Sequence, residues 1–145
     1  MRASRVTDCG VKVKGLLIRQ PWIDMVLVGQ KTWELRGRKT LTRGEIALIE
    51  SGSGTVVGLT TLVDVVGPLS KAELLRSVSK HCVKPSDIRG RTRYDKTYAW
   101  VLEGSRPLRR PVPYTHPSGA VIWVNLSPDV SGTFDVSGTL RREAE

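Results

Sequence analysis

Three charged side chains at a fixed spacing stand out in the first third of the chain. Lys31, Glu34 and Arg36 all lie in the segment GQKTWELR. An ammonium group, a carboxylate and a guanidinium around one cleft can bind a phosphate and read the edge of a nucleobase. Glu34 could accept a hydrogen bond from an exocyclic amine or act as a general base, and Lys31 could hold a phosphate or stabilise an oxyanion. The same spacing is also typical of an ordinary charged strand face.

Further candidate binding residues lie on either side of this charged triad. Arg19 and Gln20 come just before a predicted helix, where unpaired backbone amides and the helix dipole attract anions. Aromatic rings can stack on an unpaired base, which contributes about 1–3 kcal/mol per base. Hydroxyl groups in a Ser-Gly turn could add hydrogen bonds at the rim. Besides the triad, the predicted binding residues are Arg19, Gln20, Trp22, Ser51, Ser53 and Tyr98.

The histidines and cysteines give no pattern typical of a metal site. His81 and His116 are far apart, and each is predicted to lie in an exposed turn. Cys9 and Cys82 belong to no CxxC motif or Cys/His cluster, and two cysteines cannot supply a disulfide framework. We therefore expect neither a metal nor another cofactor.

Short elements must position the triad. VKGLLI, from Val13, predicts a buried strand, and the segment 20–29 predicts a helix of about two and a half turns with one apolar face. KTWELRG alternates with period two and predicts a strand. In this strand Glu34 and Arg36 share one face with Thr32, and the opposite, apolar face of Trp33 and Leu35 is expected to be the buried one.

The rest of the chain predicts mainly strands. EIALIE and TVVGLTTLVDVVG read as two strands, the second bent at Gly58, and Ser70 begins a helix through a capping box with Glu73. Residues 81–96 are too polar to contribute to a core. TYAWVLEG, RPLRRPVPY and GAVIWVNL predict further strands, the prolines being suited to an edge or a bulge.

About six strands with two or three short helices predict an α+β, mainly β fold, specifically a small closed β-barrel with helices at its ends. The 145 residues correspond to one ordinary domain. We expect a flexible arm at residues 1–12, the domain at 13–126 and a flexible tail at 127–145. The tail contains the repeat DVSGT.

Charge indicates the class of partner. The chain carries a formal net charge of +9, and residues 1–126 hold 21 Lys and Arg against 10 Asp and Glu. The excess falls into three basic stretches, residues 36–43, 76–96 and 106–110, which favours a polyanionic partner over a merely soluble basic protein. No segment is typical of a signal peptide or a membrane span, so a cytoplasmic, monomeric protein without membrane contact is expected.

Four motifs occur in order: IRQPW at 18–22, GxKxxExR at 29–36, YxWxLE at 98–103 and PxPY at 111–114. With them, the chain from about Gly15 to Leu126 resembles an ASCH domain, a family of the PUA-like superfamily. The resemblance implies a PUA-like barrel whose cleft, lined by the GxKxxExR strand and the first helix, faces single-stranded RNA or a nucleotide-like ligand. The second and third basic stretches would extend the track for the RNA backbone.

The resemblance leaves an enzyme as the alternative to a binding module. Some ASCH proteins look like ribonucleases or amidohydrolases of acylated nucleosides, and here Lys31 and Glu34 would be the acid/base pair. In the amidohydrolase branch a threonine nucleophile stands three positions after the lysine, where this chain has Glu34. Many ASCH domains also carry a histidine near the end of the third strand, where this chain has Glu50.

Overall fold

The computed structural model describes residues 13–89 and 96–136. The predicted N-terminal arm at 1–12 lies outside the described residues, as do 137–145. In the described part the strands are β1 Val13–Ile18, β2 Trp33–Arg36, β3 Gly44–Glu50, β4 Thr55–Val66, β5 Tyr98–Pro113 and β6 Trp123–Leu126. The helices are α1 Trp22–Leu27, α2 Lys71–Arg76, α3 Val78–His81, α4 Pro85–Arg89 and α5 Pro128–Ser131.

The six strands form one sheet in the order β2-β5-β4-β3-β1-β6. Strands β1 and β3 are parallel, with α1 and β2 in the connection between them, and the other pairs are antiparallel. The prediction of a mainly β, α+β fold with six strands and short helices is confirmed. Among the described residues, no ladder joins β2 to β6, so the predicted closure into a barrel is not confirmed.

The pairing of β4 with β5 is irregular. Their ladder shifts register at three places, the first of them between Val56 and Gly58, and such bulges increase the local twist. The bend predicted at Gly58 is therefore present. Strand β5 runs through Tyr98–Pro113 without a break, whereas the sequence predicted two strands there. The prolines fit because β2 pairs only with the first part of β5, which leaves the second part at an edge.

Side chains on the two faces of the sheet form separate apolar clusters. On one face, α1 buries Ile23 and Val26 against Leu16, Leu48 and Trp100. The other face is built on alternate residues of the same strands, including Leu17, Ala47, Ile49 and Leu59. Because β1 is buried on both faces, its sequence is a continuous apolar run with no period-two pattern.

Residues 127–136 cover part of this second cluster. Val130, Phe134 and Val136 pack against it, and Val136 forms an isolated bridge with Leu108. Residues 127–136 thus contact the core, and the flexibility predicted for residues 127–145 stays a prediction. Because the segment is mostly polar, its sequence did not indicate these three apolar contacts.

The helices after β4 pack against the outer side of β2. The capping box of Ser70 and Glu73 is present, and Leu74 is buried as predicted. Val83 and Ile88 join Leu74 and Leu35 in a third cluster, so the prediction that residues 81–96 are too polar for the core is wrong for the described residues 81–89. Val83 and Ile88 are sufficient to attach this otherwise polar segment to the core. No helix in the described part of the chain is long and apolar enough to cross a membrane.

Gly58 provides a test of the bend in β4. A Cβ atom built there would lie 2.7 Å from the backbone oxygen of Arg106 and 2.2 Å from Leu27 Cδ2. Because a backbone atom cannot move aside, we expect Gly58→Ala to lower the free energy of unfolding by about 3 kcal/mol, at the upper end for overpacking.

Gly119→Ala is the control, because a Cβ atom there has open space and only the left-handed φ of +83° opposes the substitution. Its expected cost is about 1 kcal/mol. Urea denaturation measures both variants, and equal losses would contradict the close approach at Gly58.

Candidate functional site

Lys31 is a buried cation at the start of β2. Its side chain is 2% exposed, and Nζ donates a hydrogen bond to the backbone oxygen of His81 at 2.6 Å. The same nitrogen lies 3.7 Å from Glu34 Oε1 and 4.9 Å from the centre of the Trp22 ring. Burial lowers the pKa of the Lys31 ammonium, although the carboxylate of Glu34 acts in the opposite direction.

Glu34 lies between the two cations of the triad. Arg36 donates to its Oε2 from Nε at 2.9 Å, and Arg36 Nη2 forms an ion pair with the same oxygen at 2.8 Å. Both contacts involve one carboxylate oxygen. Glu34 Oε1 faces Lys31 Nζ at 3.7 Å, an ion-pair distance longer than a direct hydrogen bond. One oxygen of a largely buried carboxylate therefore retains its capacity to accept.

Arg36 connects β2, at one end of the sheet order, to β1, the second strand from the other end. Its Nη2 also donates to the backbone oxygen of Leu17 on β1 at 2.7 Å, and its guanidinium lies 5.5 Å from the centre of the Trp100 ring. The Trp100 ring stacks on Trp123 of β6 at 5.7 Å. Side-chain contacts thus link β2 to β1, and β5 to β6. The prediction that only the apolar face of β2 is buried is wrong, because Glu34 is 7% exposed and Leu35 8%.

The end of α3 holds Lys31 in place. His81 is completely buried, so the prediction of an exposed histidine is wrong. Its Nε2 donates to the backbone oxygen of Leu74 at 2.7 Å and its Nδ1 accepts from the Val83 amide at 3.0 Å. These bonds orient the backbone whose oxygen accepts from Lys31. A further bond, from the Thr32 amide to the backbone oxygen of Lys80, fixes the start of β2.

The triad lies in the wall of a cleft of about 1310 Å³. Eight of the nine predicted binding residues line this cleft, namely Arg19, Gln20, Trp22, Lys31, Glu34, Arg36, Ser51 and Ser53. Tyr98 does not line the cleft, and its ring packs in the first core cluster. The rim is ordered near Arg19, since the Ser51 amide donates to the backbone oxygen of Ile18 at 2.9 Å.

Several residues of the cleft were not predicted from the sequence. Trp100, two positions after Tyr98, provides the aromatic ring instead. Tyr114 donates from its hydroxyl to His116 Nδ1 at 2.8 Å, and His116 Nε2 donates to the Ala120 oxygen at 3.0 Å. Burial raises the pKa of the Tyr114 phenol, which keeps it a donor. The PxPY motif pointed to this segment without assigning it a role.

Cations outnumber carboxylates in the lining. Arg19, Lys31, Arg36 and Arg38 face only Glu34 and Asp87. In the described part of the chain, no three His, Cys, Asp or Glu side chains come together in a way that could hold a metal ion. The cleft can therefore attract an anion through its cations and accept a hydrogen bond at Glu34 Oε1.

The lowered pKa of Lys31 has a consequence for stability. At pH values between the lowered pKa of Lys31 and the ordinary pKa of lysine, the unfolded chain binds more protons than the folded chain. Burial of Lys31 therefore becomes less costly as the pH rises. Relative to Lys31→Met, which buries no charge at any pH, we expect the native protein to gain stability between neutral and strongly alkaline pH. Urea denaturation over this range measures the difference, and a pH-independent difference would contradict the assigned burial.

Comparison with known proteins places this cleft in a known fold. The sequence model of the ASCH domain matches residues 16–109. The crystal structure of ASCH from Zymomonas mobilis is similar, with a TM-score of 0.65, 17% sequence identity, and coverage of 83% of this chain and 92% of that chain.

Two variants of the Zymomonas mobilis protein are also similar. The serine-to-alanine variant has a TM-score of 0.64, 19% identity, and coverage of 83% of this chain and 92% of that chain. The tyrosine-to-phenylalanine variant has a TM-score of 0.67, 17% identity, and coverage of 86% and 100%. At such low identity the similarity shows the fold. No curated protein sequence matches significantly. Because the family match spans most of its length, and in agreement with its sequence motifs, the chain belongs to the ASCH domain family.

Proposed function

We propose that this ASCH domain binds nucleotides, either free or as units of single-stranded RNA, in the cleft around the charged triad. The observation that carries the proposal is the position of the Glu34 carboxylate and the contacts of its two oxygens. Its carboxylate is about one-tenth exposed and lines the cleft, and Arg36 occupies only one of its two oxygens. The remaining oxygen, Oε1, can accept a hydrogen bond from the exocyclic amine of a base.

The cations of the cleft would receive the phosphate. Arg19 is exposed at the rim and forms no ion pair among the described residues. Lys31 already bonds to the backbone oxygen of His81 and pairs with Glu34. Arg36 already bonds to Glu34 and to the backbone oxygen of Leu17. Arg19 is therefore available for direct contact with a phosphate, as is Arg38 on the side of β2, whereas the two buried cations set the position of the carboxylate.

Trp22 supplies an apolar wall for the base. Its ring is partly exposed and lines the cleft, and Lys31 Nζ lies 4.9 Å from the centre of the ring. A base stacked on such a ring gains about 1–3 kcal/mol. The triad is gathered in one cleft and not spread along an open groove, which favours recognition of one nucleotide unit at a time.

Arg19→Ala tests the phosphate contact. A hydrogen bond to a charged group contributes about 1.5–3 kcal/mol, so we expect affinity for cytidine monophosphate to fall by about tenfold or more, as measured by isothermal titration calorimetry. Arg110→Ala, which removes an exposed cation outside the cleft, is expected to change little.

The bases themselves provide a second comparison. Uridine monophosphate has a carbonyl where cytidine has the amine, and it should bind more weakly to the native protein. Equal affinity of both nucleotides, or equal losses in the two arginine variants, would contradict the proposed contacts.

Hydrolysis is a second candidate function, which the lowered pKa of Lys31 beside the Glu34 carboxylate favours. In this case the two residues would act as the acid/base pair of a ribonuclease or of an amidohydrolase of acylated nucleosides. The purified protein would then degrade single-stranded RNA or deacylate an acylated cytidine.

We expect Lys31→Ala and Glu34→Gln each to lower such turnover by about 100-fold or more. Circular dichroism at the assay temperature checks that each variant is folded. Turnover that persists unchanged in both folded variants would assign the activity to a contaminant and exclude this candidate.

A further inference from the structure

The loop that joins β2 to β3 has an unusual charge. Residues 37–43, here named the cationic loop, contain Arg38, Lys39 and Arg43 and no Asp or Glu. The side chains of all three cations are exposed. The loop adjoins the cleft, because Gly37 and Arg38 are part of the cleft lining.

The cations of this loop differ from those of the third basic stretch, residues 106–110. There, Arg106 pairs with Glu45 and Arg109 pairs with Asp135 at 3.1 Å. Among the described residues, no cation of the loop pairs with a carboxylate. The protein therefore does not neutralise the charge of this loop, and a row of such cations beside the cleft complements the phosphates of a nucleic acid.

Several hydrogen bonds fix the shape of the loop. Trp100 Nε1 donates to the backbone oxygen of Arg38 at 2.8 Å, and Arg43 Nη1 donates to the oxygens of Thr40 and Thr42, both at 2.8 Å. Lys14 of β1 donates to Thr42 Oγ1 at 3.3 Å and so adds a fourth exposed cation. A loop that is already ordered loses less conformational freedom when it binds a ligand.

The tip of the loop carries an apolar side chain. Leu41 is 97% exposed, although cations surround it in the sequence. A single exposed leucine is common on protein surfaces. Beside three unpaired cations, however, it can pack on the face of a base whose phosphates those cations bind.

We propose that the cationic loop is a second contact surface for single-stranded RNA, next to the cleft. A strand with one nucleotide in the cleft continues across Arg38, Lys39 and Arg43, and Leu41 packs against an unpaired base. This inference rests on the proposed binding of nucleotides in the cleft. It replaces the route through the third basic stretch, where two of the arginines are already paired.

The test compares a mononucleotide with an oligomer. Lys39→Gln/Arg43→Gln removes two charges while each glutamine amide retains a donor, and Arg109→Gln/Arg110→Gln is the control with the same change in charge. The probes are cytidine monophosphate and a fluorescent oligocytidylate of about eight nucleotides, a length that small single-strand-binding domains cover. Binding is measured at several salt concentrations by calorimetry and by fluorescence anisotropy.

We expect the loop variant to bind the oligomer about tenfold more weakly, with the slope of log K against log salt reduced by roughly 1.4, because each phosphate contact in a single strand contributes about 0.7. Affinity for the mononucleotide should stay unchanged, and the control variant should bind both probes like the native protein. Leu41→Ser should weaken oligomer binding about threefold without changing the salt slope, since apolar contacts release no counterions.

The outcomes separate the two proposals. Unchanged oligomer affinity in the loop variant, with mononucleotide binding intact, would overturn the loop proposal alone. A loss of oligomer affinity in the Arg109/Arg110 variant instead would assign the strand to the other route and also overturn it. Failure of the native protein to bind either probe would overturn both this inference and the proposed function.

Discussion

The carboxylate of Glu34, held between Arg36 and Lys31, is the interaction on which the site depends. Each cation of this group also donates to a backbone oxygen from a distant part of the chain, Arg36 to Leu17 and Lys31 to His81. The group therefore joins β2 to β1 on one side and to the end of α3 on the other. Removing one member of a buried charged group typically costs about 3–5 kcal/mol, because its partner then remains buried and uncompensated.

Stability alone does not explain why such a group is present. Well-packed apolar residues in place of a buried ion pair are often neutral or stabilising. Here the charges form part of the wall of a cleft, and Arg36 contacts only one of the two carboxylate oxygens. An arrangement that fixes an acceptor in position before any ligand arrives avoids the cost of ordering it during binding. Because the acceptor is fixed in advance, we relate the triad to recognition of a base.

The sequence was informative where local pattern determines structure. Short-range signals in the sequence predicted strand β2, the capping box at Ser70 and the bend at Gly58. The triad was identified from its residue types and its family motif. The partners of the triad could not be identified in this way. The hydrogen bond of Arg36 spans 19 positions and that of Lys31 spans 50, so no spacing rule relates them. The same limit applies to Tyr98 and Trp100, which share a strand face by their spacing, although only Trp100 lines the cleft.

The four tryptophans provide the most direct test of the central claim, that the cleft around the triad binds a nucleotide. Trp22 lines the cleft, whereas Trp33 lies outside it, with Lys80 Nζ 4.8 Å from the centre of its ring. In a titration with cytidine monophosphate followed by NMR, the account predicts a large, saturable shift of the indole N–H resonance of Trp22 and no shift of that of Trp33. A saturable shift at Trp33 with Trp22 unchanged, or no shift at either ring, would contradict it.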